Sequence, residues 1–93
     1  MPGFKISPSR QLLIDALVEN LPKLRKSCHL SQTDVAKKIG KSRQTVSDIE
    51  RGAAPMGWDT YLALILVFKT YKVLDSFSDF SKYRELLRKE ILN

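Results

Sequence analysis

The sequence predicts an all-α fold of five to six helices in one small domain spanning residues 1–93. Three observations carry this expectation. Apolar residues recur at three- and four-residue spacing along most of the chain. Serine-led starts and glycine stops punctuate those stretches. The one strand-like run, Tyr61 to Phe68, has no second strand to pair with. A chain of 93 residues builds only a small core, which excludes large enzyme folds such as a nucleotide-binding sheet or a barrel.

The first helix is expected over 8–20, after Ser7 and Pro8, with Leu12, Leu13, Ala16, Leu17 and Leu21 at helical spacing. Pro22 lacks an amide proton and disfavours a helical Leu21, so a kink or break is expected at Asn20-Leu21-Pro22. A short second helix would then run from Pro22 to about Cys28, with His29-Leu30 as connector. Ser31 followed by Asp34 resembles a capping box, and Val35, Ala36 and Ile39 form one apolar face. Gly40 stops that helix. Ser42 caps the next, which runs to about Arg51 before Gly52. Trp58 to about Tyr71 reads as a helix that is apolar all round and must be covered on more than one side. A C-terminal helical extension is expected over 74–93, with Phe80, Tyr83, Leu87 and Ile91 on one stripe.

Charge is unevenly placed. The chain carries +6, and the window 23–51 alone holds +5. A basic small domain calls for an anionic partner, with nucleic acid the first candidate. Cys28 is the only cysteine, which excludes an internal disulfide and suits a reducing, cytoplasmic location. The N-terminus has no signal-like apolar stretch, and Trp58–Phe68 is too short to cross roughly 30 Å of hydrocarbon, so no membrane association is expected.

The stretch Ser31 to Gly52 resembles the helix-turn-helix of the Cro and phage-repressor (XRE) family of prokaryotic transcription factors. Gln32, Ala36, Gly40, Val46, Ile49 and Glu50 carry the resemblance, with the turn around Gly40-Lys41-Ser42. It implies a lambda-repressor-like fold with the motif at 31–52, and less tightly it covers 21–71. Each matched position also has a physical role. Ala36 is small where two helices cross, Gly40 permits a tight turn, and Val46 and Ile49 anchor the second helix.

At 100° per residue, Gln44, Ser47, Asp48 and Arg51 fall opposite Val46 and Ile49, with Arg43 flanking them. That face would enter the major groove. Base reading is assigned to Arg43, Gln44, Ser47 and Asp48. Arg43 suits guanine and Gln44 suits adenine, whereas Asp48 either accepts from cytosine or orients Arg51 or Arg43. Backbone contacts are assigned to Gln32, Thr33, Lys41, Ser42, Thr45 and Arg51. The resemblance further implies that Gln32 braces Arg43, and that Arg25 forms a partly buried structural ion pair with Glu50. Ala53 and Ala54 replace the polar or basic residues that the family often has after the motif.

Other chemistries are set aside. Cys28 and His29 cannot complete a zinc site, and no Gly-rich phosphate loop or catalytic carboxylate pair stands out, so neither enzyme activity, metal nor cofactor is expected. Trp58, Tyr61 and Phe68 read as core or dimer interface rather than base-stacking platforms. The expected function is a DNA-binding regulator, a repressor by preference, on a palindromic operator. A homodimer through Trp58–Tyr71 and the C-terminal helix is expected, with the alternative that the last helix only packs on the monomer's own core. The alternative is a protein-binding module, such as the antitoxin of a toxin–antitoxin pair.

Overall fold

The computed structural model describes residues 7–72 and 78–92, the side chains of the second stretch over 84–91. Its order is α1 (Pro8–Ser27), α2 (Gln32–Ile39), α3 (Arg43–Glu50), α4 (Trp58–Thr70) and α5 (Ser78–Leu92). No strand occurs among the described residues. The fold is all-α, with five helices among the described residues, and α1 is the central element against which α3, α4 and α5 pack.

The expected break at Pro22 does not occur. One helix runs from Pro8 to Ser27 with Pro22 inside it, so the separate helices expected at 8–20 and 22–28 are one. Burial explains why. Leu13, Ile14, Leu17, Leu21 and Leu24 lie on one stripe, each at most 2% exposed. Five such side chains contribute about 1.5–3 kcal/mol each, against about 3 kcal/mol for an interior proline. A break at 20–22 would carry Leu24 away from the core. Asn20 is buried beside the proline and donates from Nδ2 to the Ala16 carbonyl at 2.9 Å, so its amide is not stranded.

α1 also ends differently from a simple connector. His29 adopts the left-handed region at φ 58°, and the Leu30 amide returns to the Arg25 carbonyl at 3.1 Å. This is the reversal that usually employs glycine. It aims the chain directly into Ser31 and α2.

α4 buries Thr60, Tyr61, Leu64, Ile65 and Phe68, with Leu62 and Val67 packed at the flanks. Cover is incomplete, because Leu66 is 67% exposed on the outer side. α5 is described from Ser78 and rests on the core through Leu86 and Leu87, while the expected extension over 74–77 lies outside the described residues. Its Glu90 accepts from Ser7 Oγ at 3.0 Å and lies 3.6 Å from Arg10 Nε. Arg10 in turn stands 4.8 Å over the Trp58 ring, linking α1, α4 and α5. Of the expected α5 stripe, Leu87 is half-buried and Ile91 exposed, while the side chains of Phe80 and Tyr83 lie outside the described residues.

Candidate nucleic-acid interface

Two serine caps and two left-handed glycines set the geometry of α2 and α3. Ser31 Oγ accepts the Asp34 amide at 3.0 Å, and Asp34 Oδ2 accepts the Ser31 amide at 2.9 Å. These bonds, the backbone one foremost, hold the Asp34 carboxyl below the usual carboxylate range. Gly40 turns the chain at φ 71°, where an L side chain would be strained although space is open around it. Ser42 Oγ accepts the Thr45 amide at 3.1 Å and lies 2.9 Å from Thr45 Oγ1. At the far end Gly52 takes φ 74°, and the Ala53 amide closes on the Asp48 carbonyl at 2.8 Å. α3 is thus bounded at both ends by backbone chemistry its own sequence supplies.

The inner side of α3 buries Val46 and Ile49, in one core with Val35 and Ala36 of α2. Beside them lies a polar chain that joins three helices. Arg25, in the last turn of α1, donates from Nε to Glu50 Oε2 at 2.8 Å and from Nη2 to Glu50 Oε1 at 3.1 Å. Its Nη1 donates to the Leu30 carbonyl at 3.1 Å. The side chains of Arg25 and Glu50 are only 13% and 7% exposed. Hydrogen bonding to Glu50 raises the Arg25 pKa further above its ordinary value. Glu50 Oε1 also accepts from Gln32 Nε2 at 3.0 Å. The Gln32 carbonyl oxygen is therefore left to face outward, where it accepts from Arg43 Nη1 at 3.2 Å. Arg43 is tied through Gln32 and Glu50 to Arg25.

The outer side is solvent-facing. Arg43, Gln44 and Arg51 are exposed, and Ser47 and Asp48 are half-buried at the helix surface. Gln44 Nε2 donates to Asp48 Oδ1 at 2.8 Å, and Arg51 Nη2 donates to the same oxygen. These bonds, Gln44's first, lower the Asp48 pKa. Thr33 lies exposed in the first turn of α2, with Lys37 and Lys38 exposed in its last. Lys41 is exposed in the turn, 3.8 Å from Asp59 of α4. Seven of the sequence-assigned residues thus fall into two groups, while Ser42 pairs with Thr45, Lys41 approaches Asp59, and Thr33 and Ser47 join neither group. Arg25, Gln32, Arg43 and Glu50 meet in one chain, and Gln44, Asp48 and Arg51 meet in another.

Three contacts escaped sequence reasoning. The Gln32–Glu50 bond joins the Gln32–Arg43 and Arg25–Glu50 pairs, and only the fold shows it. The Lys41–Asp59 approach depends on where α4 starts, which local pattern does not give. Gln44 and Asp48, by contrast, are four residues apart on a helix, a spacing that does predict contact. Elsewhere, Tyr61 and Phe68 are fully buried, which removes them as base-stacking surfaces. Burial pushes the Cys28 thiol pKa up. Among the described residues no group of three His, Cys, Asp or Glu side chains could hold a metal ion, and no helix is long and apolar enough to cross a membrane.

A family model described as helix-turn-helix matches residues 23–57, from the last turn of α1 through α2 and α3 to the residue before α4. No curated protein and no solved structure gives a significant match. The matched segment contains both serine caps, both left-handed glycines and every member of the Arg25–Glu50–Gln32–Arg43 chain. Over residues 23–57 the chain therefore carries a helix-turn-helix of the Cro and phage-repressor (XRE) type, a DNA-binding module of transcription regulators.

Proposed function

We propose that this protein is a sequence-specific regulator of transcription, acting as a repressor in the cytoplasm, that reads double-stranded DNA with α3 in the major groove. The observation that carries this reading is the division of α3. Val46 and Ile49 fix one side in the core, and Arg43 and Gln44 stand exposed on another. Arg43, Gln44 and Ser47 face base edges, with Asp48 among them. Gln32, Thr33, Lys41, Ser42, Thr45 and Arg51 border that face at both ends and meet phosphates. Gln32 and Thr33 do so at the amino end of α2, where helix amides favour an anion.

One such helix covers only a few base pairs, so two copies are needed for high specificity. The apolar surface for pairing is at the other end of the chain, where Leu66, Tyr71 and Ile91 are exposed on α4, its C-cap and α5. A two-fold dimer through these elements would place two α3 helices on half-sites roughly 34–36 Å apart, giving a palindromic operator. Selection of bound duplexes from a random pool tests the function, with light scattering for stoichiometry. An inverted repeat bound by two protomers is expected. A pool that yields no preferred sequence, together with a stable complex with another protein from extract, would overturn the reading.

A further inference from the structure

The outer face of α3 holds an acidic side chain on a surface that is to approach a polyanion. Asp48 Oδ1 accepts both from Gln44 Nε2 and from Arg51 Nη2. A carboxylate only accepts, so the end of the Gln44 amide turned toward it is the NH2 end. One of the two amide hydrogens is thereby taken. The other hydrogen and the carbonyl oxygen Oε1 remain for a ligand. A donor beside an acceptor on one planar group complements the N7 acceptor and N6 donor that adenine shows in the major groove. The bond to Asp48 selects that rotamer and that face of the amide from the several open to an exposed glutamine.

We propose that Asp48 is a positioning residue for base readout: it holds the Gln44 amide in the orientation that reads adenine and does not itself contact a base. Arg51, donating to the same oxygen, keeps the carboxylate turned along the helix. The inference rests on α3 being the DNA-reading helix. It replaces a direct cytosine contact by Asp48 with an indirect one through Gln44. The charge has a second consequence, because a fixed carboxylate repels phosphates of every sequence and so weakens indiscriminate binding.

The test compares motifs selected from a random duplex pool by the full chain and by Gln44→Ala, Asp48→Ala, Asp48→Asn and Arg43→Ala. Gln44→Ala should erase an adenine preference at one position, a loss of roughly five- to hundredfold in discrimination. Asp48→Ala should weaken preference at that same position by about 1.4- to 2.3-fold and leave the position read by Arg43 intact. It should also tighten binding to scrambled duplex. Asp48→Asn keeps an acceptor for both donors, so it should restore the adenine preference while still tightening scrambled binding. Three results overturn the proposal: Asp48→Ala acting at a cytosine position away from that of Gln44, Asp48→Asn behaving like Asp48→Ala, or no change in preference on Asp48→Ala. A motif unmoved by both Gln44→Ala and Arg43→Ala would instead remove the reading face itself, and the positioning role with it.

Discussion

Glu50 and Asp48 stand two residues apart on α3, one turned into the domain and the other along its surface. Both accept from a glutamine and from an arginine, Glu50 twice from its arginine. Burial separates their work. Glu50 is 7% exposed, so its attraction to Arg25 acts in poorly screened surroundings and losing either partner strands a charge. Asp48 is 29% exposed, so water screens its pair with Arg51 and the bond contributes little to folding. The same side-chain chemistry serves the fold on one flank and the orientation of a surface group on the other. The difference comes from what covers each carboxylate.

The largest expected effect falls on the inner flank. Arg25→Ala should cost about 3 kcal/mol in chemical denaturation, since Glu50 loses two bonds and the Leu30 carbonyl one. Next comes Arg43→Ala on the outer flank. It should lower affinity for the selected operator by about 1–3 kcal/mol and relax one base position, while stability stays within about 0.5 kcal/mol. Equal losses of stability in Arg25→Ala and Arg43→Ala would erase the distinction between the flanks.

Ser42→Ala lies where the two flanks meet and should cost about 1 kcal/mol in thermal melting, because the Thr45 amide loses its acceptor. Lys41→Ala should weaken operator and scrambled duplex alike and reduce the salt slope by about one unit, measured by titration at several salt concentrations. The smallest effect is with acid. Asp34 and Asp48 both have folded pKa values below the ordinary carboxylate value, so below about pH 4 the unfolded chain binds more protons. Their contribution is present above that ordinary value and is lost as pH falls through the folded values. Denaturation midpoints should decline across that window, less steeply in Asp34→Asn.

How much of this was legible in the sequence depends on the range of the interaction. Caps, glycine stops and the buried side of α3 are local, and Ser31, Gly40, Ser42, Val46 and Ile49 reveal them through spacing alone. The continuity of α1 was not legible, because Pro22 states a local penalty while the five buried residues that outweigh it are seen only in the packed core. The left-handed turn at His29 was hidden for a related reason. No glycine marks it, and the tight exit it makes possible depends on where α2 must begin. At the site, angular position separated Gln44 and Asp48 from Val46 and Ile49. It could not show that Gln32 touches Glu50 and Arg43 together, since those three come from the starts and ends of two helices.

The double grip of Arg25 has a consequence for motion. Its carbonyl receives the Leu30 amide and its guanidinium holds the Leu30 carbonyl, while the same guanidinium grips Glu50. A helix of eight residues such as α3 does not persist alone in water. Opening it must therefore also strip Glu50 from Arg25 in the last turn of α1, a helix whose Leu21 and Leu24 are fixed in the core. The two belong to one cooperative unit, and the amide protons of Val46 and Ile49 should exchange with solvent only as slowly as those of Leu21 and Leu24. α3, though short and half in solvent, takes its rigidity from a longer neighbour.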